Sequence, residues 1–282
     1  MEKKEIAFTC DSACDLTPEI ITKYNIFIVP FTVMLGEQEK KDGVNVDFNG
    51  IYDYVSKTGV LPKTSAVSIF EYQEFFCKIL ETHKNIMHFS ISAELSSSNS
   101  NANCACKEMN AQNICIVNSK SLSSGIALQL LECIDKFNQG ATFEELCQLS
   151  KELPERTSAS FVIKNVKYLY KGGRCSSLAM LGANVLKIKP RISVINGSMS
   201  VTKKYLGKMD DIIKKYVLEV VNEFNPDKKR VFVTSSSPMT ETSTVKLELE
   251  KMGFQQIYCA QASCTICCHC GPETFGILFL NK

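Results

Sequence analysis

The chain has 282 residues, of which 45% are hydrophobic and 22% charged, and 32 Lys and Arg against 30 Asp and Glu leave a net charge of +2. This composition indicates a globular protein of one large or two modest domains, and it argues against a nucleic-acid binder, which needs a concentrated excess of positive charge. No apolar run reaches the roughly 20 residues that span a bilayer. The amino terminus lacks the pattern of a signal peptide, so we expect a cytoplasmic protein without stable membrane insertion.

Short β-rich runs alternate with helical patterns through the first half of the chain. Pro30 interrupts the second strand, which we expect to be short, bent or at an edge. Repetition of this kind predicts parallel β-α-β units, hence a Rossmann-like domain with right-handed crossovers. The predicted strands are 5–9, 26–33, 86–92 and 114–117, and the predicted helices are 48–56, 69–81, one from about 98 and one from about 121.

The second half differs because it contains a strong hairpin signal. Asn196-Gly197 joins two predicted strands, and this dipeptide is typical of a two-residue hairpin turn. We therefore predict an α/β protein of two domains, a parallel-sheet domain at 1–150 and a mixed-sheet domain at 151–282. The other elements predicted in this half are strands at 159–163, 190–195, 199–205, 230–234, 256–259 and 276–280, and helices at 166–170, 209–224 and 241–251.

Two loops rich in hydroxyl and amide groups follow predicted strands. Residues 92–98 lie at one strand-to-helix junction, and Asn118-Ser119 lies at another. Ligands of open α/β sheets bind at such junctions, where helix N-termini offer free N–H groups to an oxyanion or carboxylate. Ser, Thr and Asn also commonly cap helices. For any one of these residues taken alone, a capping role is favoured over a ligand-binding role.

A double glycine, Gly172-Gly173, stands beside Arg174. An arginine in a glycine-rich turn can approach a phosphate or carboxylate with its bidentate fork. The same residues can equally end a helix and leave a surface arginine facing the helix dipole. The residues alone leave both interpretations open.

Only three histidines are present, and His269 is the best functional candidate among them. His83 ends a charged helical pattern, so we expect it to be exposed. His88 lies in a predicted strand and is expected to be structural. His269 precedes Gly271-Pro272, so we expect it in a rigid turn.

Fourteen cysteines are the unusual feature of the composition. Residues 264–270 contain the C-x-x-C spacing, but no separate C-x-x-C pair exists elsewhere in the sequence, so we do not predict a metal site. A thiol of this cluster acting with His269 as a nucleophile is an alternative, although sequence neighbours rarely reach the geometry required. Most other thiols fall in predicted strands and helices, where we expect reduced, apolar fillers: Cys77, Cys115, Cys133, Cys147 and Cys259.

A series of short motifs runs along the whole chain. In order they are TCDSACDL at 9–16, VP at 29–30, KDG at 41–43, PKTS at 62–65, ISAELS at 91–96, YLYKGGR at 168–174, IKP at 188–190 and HCGP at 269–272. Together they resemble the motifs of the DegV family, the fatty-acid-binding subunits (FakB type) of the bacterial fatty acid kinase system. One departure is Glu273, which replaces a glycine of the family pattern; if it points inward, it should favour protonation of His269.

The resemblance implies a carrier without a cofactor, which holds one long-chain fatty acid between two domains. A separate ATP-dependent kinase would phosphorylate the carboxylate, and no glycine-rich nucleotide loop is visible in this sequence. The alternative function is that of a stand-alone hydrolase or thiol enzyme acting on a lipid-like ester. By resemblance, the carboxylate would meet Thr64, Ser65, Ser96 and His269, whereas Arg174, Gly172, Gly173 and Asn118 would lie near the carboxylate or face the kinase.

Overall fold

The computed structural model describes residues 3–179 and 188–282. The strands are β1 (Lys4–Asp11), β2 (Phe27–Val29), β3 (Thr32–Leu35), β4 (Gln38–Lys41), β5 (Lys63–Ser65), β6 (His83–Ser90), β7 (Ile114–Asn118), β8 (Thr157–Val162), β9 (Lys189–Ile195), β10 (Ser198–Tyr205), β11 (Pro226–Ser235), β12 (Gln256–Gln261) and β13 (Phe275–Asn281). The helices are α1 (Pro18–Tyr24), α2 (Phe48–Thr58), α3 (Ile69–Leu80), α4 (Ser98–Glu108), α5 (Ser124–Asn138), α6 (Phe143–Leu149), α7 (Leu153–Arg156), α8 (Lys167–Gly172), α9 (Met209–Glu223), α10 (Glu241–Lys251) and α11 (Cys264–Cys270).

These strands form three sheets. The first is parallel, in the order β2-β1-β6-β7, and the second is a small antiparallel sheet, β4-β3-β5. The third is mixed, in the order β10-β9-β8-β13-β11-β12, and only β11 and β12 run parallel in it. The prediction of a two-domain α/β fold with a parallel and a mixed sheet is confirmed. The division at residue 150 stays a prediction, because α5 packs against strands of both large sheets.

Local sequence explains where several helices begin. Ser68 caps α3 in a capping box with Glu71, and Thr142 caps α6 in the same way with Glu145. Each box satisfies backbone N–H groups that the first helical turn leaves free. The apolar faces that follow then pack into a core shared by the two large sheets.

The run at 26–33, predicted as one strand, is two strands in two sheets. β2 pairs with β1 of the parallel sheet, whereas β3 pairs with β4 and β5 of the small sheet. Pro30 lies between them and has no N–H to continue the ladder, so the chain changes sheet there. The PKTS segment contains the edge strand β5, and the residues of β4 are polar, so neither strand was predicted from an apolar pattern.

Two expectations about side-chain burial were wrong. His83 begins β6, is buried, and packs edge-on against Phe27 at 5.4 Å between ring centroids. Burial lowers the pKa of this histidine. Cys77 and Cys259, expected as fillers, are exposed, because each lies on the outer face of its element.

None of the helices in the two described stretches combines the length and apolar character that crossing a membrane would demand.

Candidate functional site

A cavity lies between β5, the loop after β6, and helix α11. Its empty volume is about 620 Å³, including the part open to solvent. Six lining side chains are polar, whereas the remainder are apolar or carry a thiol. The lining residues are Phe31, Thr64, Ala66, Ile91, Leu95, Ser96, Ser97, Leu122, Arg174, Met199, Thr265, Ile266, His269 and Cys270.

A narrower cavity of about 330 Å³ adjoins the first. The two share Leu122, Ile266 and Cys270 as lining residues. Phe161 and Leu278 add apolar walls from the six-stranded sheet. Apolar side chains that line both cavities therefore lie at their boundary, within the core between the two large sheets.

His269 and Thr64 form the polar centre of the site. The His269 Nε2 lies 2.8 Å from the Thr64 hydroxyl, which joins α11 to β5 across 205 residues of sequence. Burial lowers the pKa of His269 to about 4, and the charge of Arg174 acts in the same direction. The ring is therefore neutral at pH 7 and can act as a hydrogen-bond donor or acceptor without a positive charge.

The double glycine has two distinct roles. Gly173 has a φ of +69° and ends α8, as the helix-terminator interpretation predicts. Gly172 allows close approach, because a Cβ there would lie 2.6 Å from the His269 Nδ1. That Nδ1 is shielded from solvent and has no hydrogen-bond partner within the described chain.

Arg174 lies at the solvent side of the cavity. Its side chain donates to the carbonyl of Gly172 at 2.7 Å and, more weakly, to that of Leu95 at 3.4 Å. These two bonds hold an exposed guanidinium over the mouth, with further donors free. Ser96 lines the same mouth, and its hydroxyl accepts from the N–H of Ser98 at 3.2 Å. Its proton is thus available to a ligand.

Two buried carboxylates hold the N-terminal end of α11. Asp42 accepts from the N–H groups of Cys264 and Thr265, at 2.9 and 3.0 Å. Asp15 accepts from the Ser263 N–H at 2.8 Å and from the Ser123 hydroxyl at 2.5 Å. Burial raises the pKa of Asp15 to about 7, and the charge of Asp42 adds to this. Residues of the first half therefore position the helix that carries His269.

The comparisons with known proteins agree with this architecture. A family model described as "Uncharacterised protein, DegV family" matches residues 5–282. This chain belongs to the DegV family.

Similar members of the family align with this chain over almost the whole length of both proteins. A DegV domain-containing protein of Clostridium perfringens is 24% identical, with 99% of each chain covered. A fatty acid-binding protein of Thermotoga maritima is 25% identical, also with 99% of each covered. The structure of a fatty-acid-binding DegV family protein from Thermus thermophilus has a TM-score of 0.90 at 19% identity, with 99% of this chain and 100% of that chain covered.

Another similar fold is the Streptococcus pneumoniae fatty acid kinase B3 protein loaded with linoleic acid. Its TM-score is 0.84 at 21% identity, with 99% of this chain and 100% of that chain covered. At this identity the likeness establishes the shared fold of the DegV family.

The cavity brings together some of the residues that the sequence singled out, but not all of them. Thr64, Ser96, Arg174 and His269 line it, and Gly172 contacts His269. Ser65 is exposed and absent from the lining, because successive strand residues point to opposite faces. The Asn118 carboxamide accepts from the N–H groups of Ala93 and Lys120, so it joins two loops and does not line the cavity.

Two further expectations about the His269 region need correction. His269 lies in the last turn of α11, not in a tight turn. Glu273 forms an ion pair with Lys164 and is half exposed, so it does not point inward, and the pKa of His269 is lowered, not raised. Sequence reasoning also missed Thr265, a buried residue of the cavity lining one turn before His269. The only signal for it was the helical spacing of four residues.

Proposed function

We propose that this protein binds one long-chain fatty acid and presents its carboxylate at the cavity mouth. The observation that carries the proposal is the neutral hydrogen-bonded pair of His269 and Thr64 in a cavity that combines polar side chains with a larger number of apolar ones. A polar head and a long apolar tail are the ligand chemistry that matches this arrangement.

The tautomer of His269 decides what Thr64 offers to a ligand. A buried N–H without a partner is rarer and costlier than a lone pair without one, so the proton belongs on Nε2, and Nδ1 keeps its lone pair. His269 then donates to Thr64, whose own proton is free for the carboxylate. Ser96 supplies a second hydroxyl proton at the same mouth. Neutral donors hold the anion without a fixed ion pair.

Affinity comes mainly from the tail. Burying each CH₂ stabilises a complex by about 0.8 kcal/mol, so a long acyl chain binds tightly with few polar contacts. The passage past Leu122, Ile266 and Cys270 offers the apolar surface for that burial. In this arrangement residues 1–150 and 151–282 act as two domains that enclose the ligand.

The carrier would deliver its ligand to a separate ATP-dependent kinase. Arg174 is exposed at the mouth, where a guanidinium suits an acyl-phosphate or the docked kinase. The chain itself has no glycine-rich nucleotide loop. The S. pneumoniae relative named as a fatty acid kinase component supports this role.

The alternative of a thiol hydrolase is disfavoured by the chemistry of the thiols. Burial raises the pKa of Cys270 to about 12 and also raises that of Cys268 and Cys267. A thiol in that state is a poor nucleophile. The protein is accordingly proposed as a non-catalytic carrier.

Gentle native extraction followed by mass spectrometry tests the proposal. Purified protein should carry a near-stoichiometric fatty acid, and the apo form should rebind one in a titration. Thr64→Val should bind the fatty acid more weakly than wild type in this titration. Ser65→Ala is the matched control, because Ser65 neighbours Thr64 but is absent from the cavity lining. An empty protein that hydrolyses an ester in a thiol-dependent manner would overturn the carrier function.

A further inference from the structure

Thr265 lines the cavity with a hydroxyl that no described residue hydrogen-bonds. Its side chain is 4% exposed, and its Oγ1 has no hydrogen-bond partner among residues 3–179 and 188–282. Its backbone N–H is bound by Asp42 at 3.0 Å, which fixes the residue in place. A buried hydroxyl without a partner is uncommon in folded proteins and calls for an explanation.

The position of Thr265 explains why it lacks the usual internal partner. Threonine inside a helix commonly donates to the carbonyl four residues earlier. Thr265 is the second residue of α11, so the residue four positions earlier is Gln261, which lies in β12. The hydroxyl is therefore available to a group bound in the cavity that Thr265 lines.

The distance to His269 limits which part of a ligand it can meet. Thr265 and His269 are four residues apart on one helix face, about 6 Å along the axis. Both line the same cavity. A carboxylate bound at His269 and Thr64 places its first few carbons, not its distant tail, within reach of Thr265.

We propose that Thr265 makes this site selective for fatty acids with a hydroxyl on the second or third carbon. The inference rests on the proposed fatty-acid binding. An unsubstituted acid leaves the Thr265 hydroxyl buried without a partner, whereas a 2- or 3-hydroxy acid supplies both a donor and an acceptor to it. Selectivity of this kind arises because a site built with a buried polar group disfavours the analogue that cannot pair with it.

The experiment combines three ligands with three proteins in calorimetric titrations. The ligands are hexadecanoic acid and its 2-hydroxy and 3-hydroxy derivatives, and the proteins are wild type, Thr265→Val and Thr265→Ser. Valine keeps the shape and removes the hydroxyl, whereas serine keeps the hydroxyl. Wild type should prefer one of the hydroxy acids by about three- to tenfold, the worth of one net hydrogen bond. Thr265→Ser should keep the preference, and Thr265→Val should lose it while binding hexadecanoic acid as well or better.

Three results would overturn the inference while leaving the carrier function intact. The first is equal binding of all three acids by wild type. The second is a preference that survives in Thr265→Val. The third is an equal loss for all ligands in Thr265→Val, which would assign the hydroxyl to the carboxylate itself. Failure of every acid to bind wild type would instead refute the carrier function, so the two failures are distinguishable.

Discussion

His88 and His269 are both shielded from solvent, but His88 is enclosed by protein, whereas His269 lies beside a cavity. His88, in the centre of the parallel sheet, has its Nδ1 2.9 Å from the Thr9 hydroxyl. Its Nε2 lies 3.2 Å from the Asp11 carboxylate, although not aligned as a hydrogen bond. Asp11 also accepts from Tyr72 at 2.6 Å and from the Ile91 N–H at 2.9 Å. This cluster is surrounded by protein on every side.

In the described part of the chain, His269 has one hydrogen-bond partner, Thr64, and neither its Nδ1 nor the hydroxyl of Thr265 has any. The difference teaches that a buried network enclosed on every side by protein stabilises the fold, whereas polar groups without a partner beside a cavity are available to a ligand. Substitutions in the first region should therefore change stability, and substitutions in the second should change binding.

The largest expected effect comes from Asp11→Ala. Removing this fully buried carboxylate leaves Tyr72, His88 and the Ile91 N–H without their shared partner. We expect the free energy of unfolding to fall by about 3–5 kcal/mol. Urea denaturation measures it, with Thr64→Val as the comparison variant. If Asp11→Ala cost less than Thr64→Val, the distinction between the two regions would fail.

The next effect is the pH dependence that His269 contributes. Its pKa of about 4 lies below the unfolded value of 6.5, so between these values the unfolded chain binds the proton and the folded chain does not. The contribution of His269 to the free energy of unfolding is therefore fully present above pH 6.5. It falls by about 3 kcal/mol as the pH is lowered towards 4.

His269→Asn tests that contribution, since the variant has no proton to gain there. The difference in unfolding free energy between wild type and variant should shrink between pH 7.5 and pH 4. Asp15 titrates with the opposite sign, because its pKa is raised to about 7, but it is common to both proteins and cancels. A difference that does not change with pH would show that His269 titrates normally.

A smaller effect is expected for Thr64→Val on ligand affinity. The variant loses one hydroxyl donor to the carboxylate, worth about 2 kcal/mol for a charged acceptor, or roughly a thirtyfold rise in Kd for hexadecanoic acid. Its free energy of unfolding should fall by about 1–2 kcal/mol, less than for Asp11→Ala, because only the His269 Nε2–H loses its partner. Titration of Ser65→Ala in parallel should give the wild-type Kd, and equal losses in both variants would remove Thr64 from the site.

The smallest effect concerns Glu273, which has a φ of +54°. A non-glycine residue in this conformation costs about 1–2 kcal/mol, whereas its half-exposed ion pair with Lys164 contributes little. Glu273→Gly should therefore raise the unfolding free energy by about 1 kcal/mol at unchanged ligand affinity. Glu273→Ala keeps the strain and should not stabilise, and a gain equal to that of glycine would contradict the explanation.

Most of the fold was predictable because local patterns and long-range structure agree. The hairpin at Asn196-Gly197 and the alternation around β1, β6 and β7 follow directly from sequence. The split at Pro30 was only half predicted: the proline signals an interruption, but which sheet receives each half depends on partners far along the chain. His83 was misplaced because its charged neighbours continue a helical pattern up to the start of β6.

The site was predictable only as far as its motifs resemble a family. Thr64 and His269 lie 205 residues apart, and no local pattern encodes their contact. The roles of Asp15 and Asp42 depend on a helix more than 200 residues away. Thr265 escaped notice because a threonine beside cysteines at a helix start is ordinary, and only the empty space in front of it makes it unusual.

The position of β13 bears on how the protein can be made. This strand is the last of the six to leave the ribosome, yet it lies between β8 and β11 in the middle of the mixed sheet. Until residues 275–281 emerge, β8 and β11 have no common neighbour, and their apolar edges stay open to other chains. Loss of these last residues therefore removes the centre of the sheet and leaves one edge of β8 and one edge of β11 unpaired.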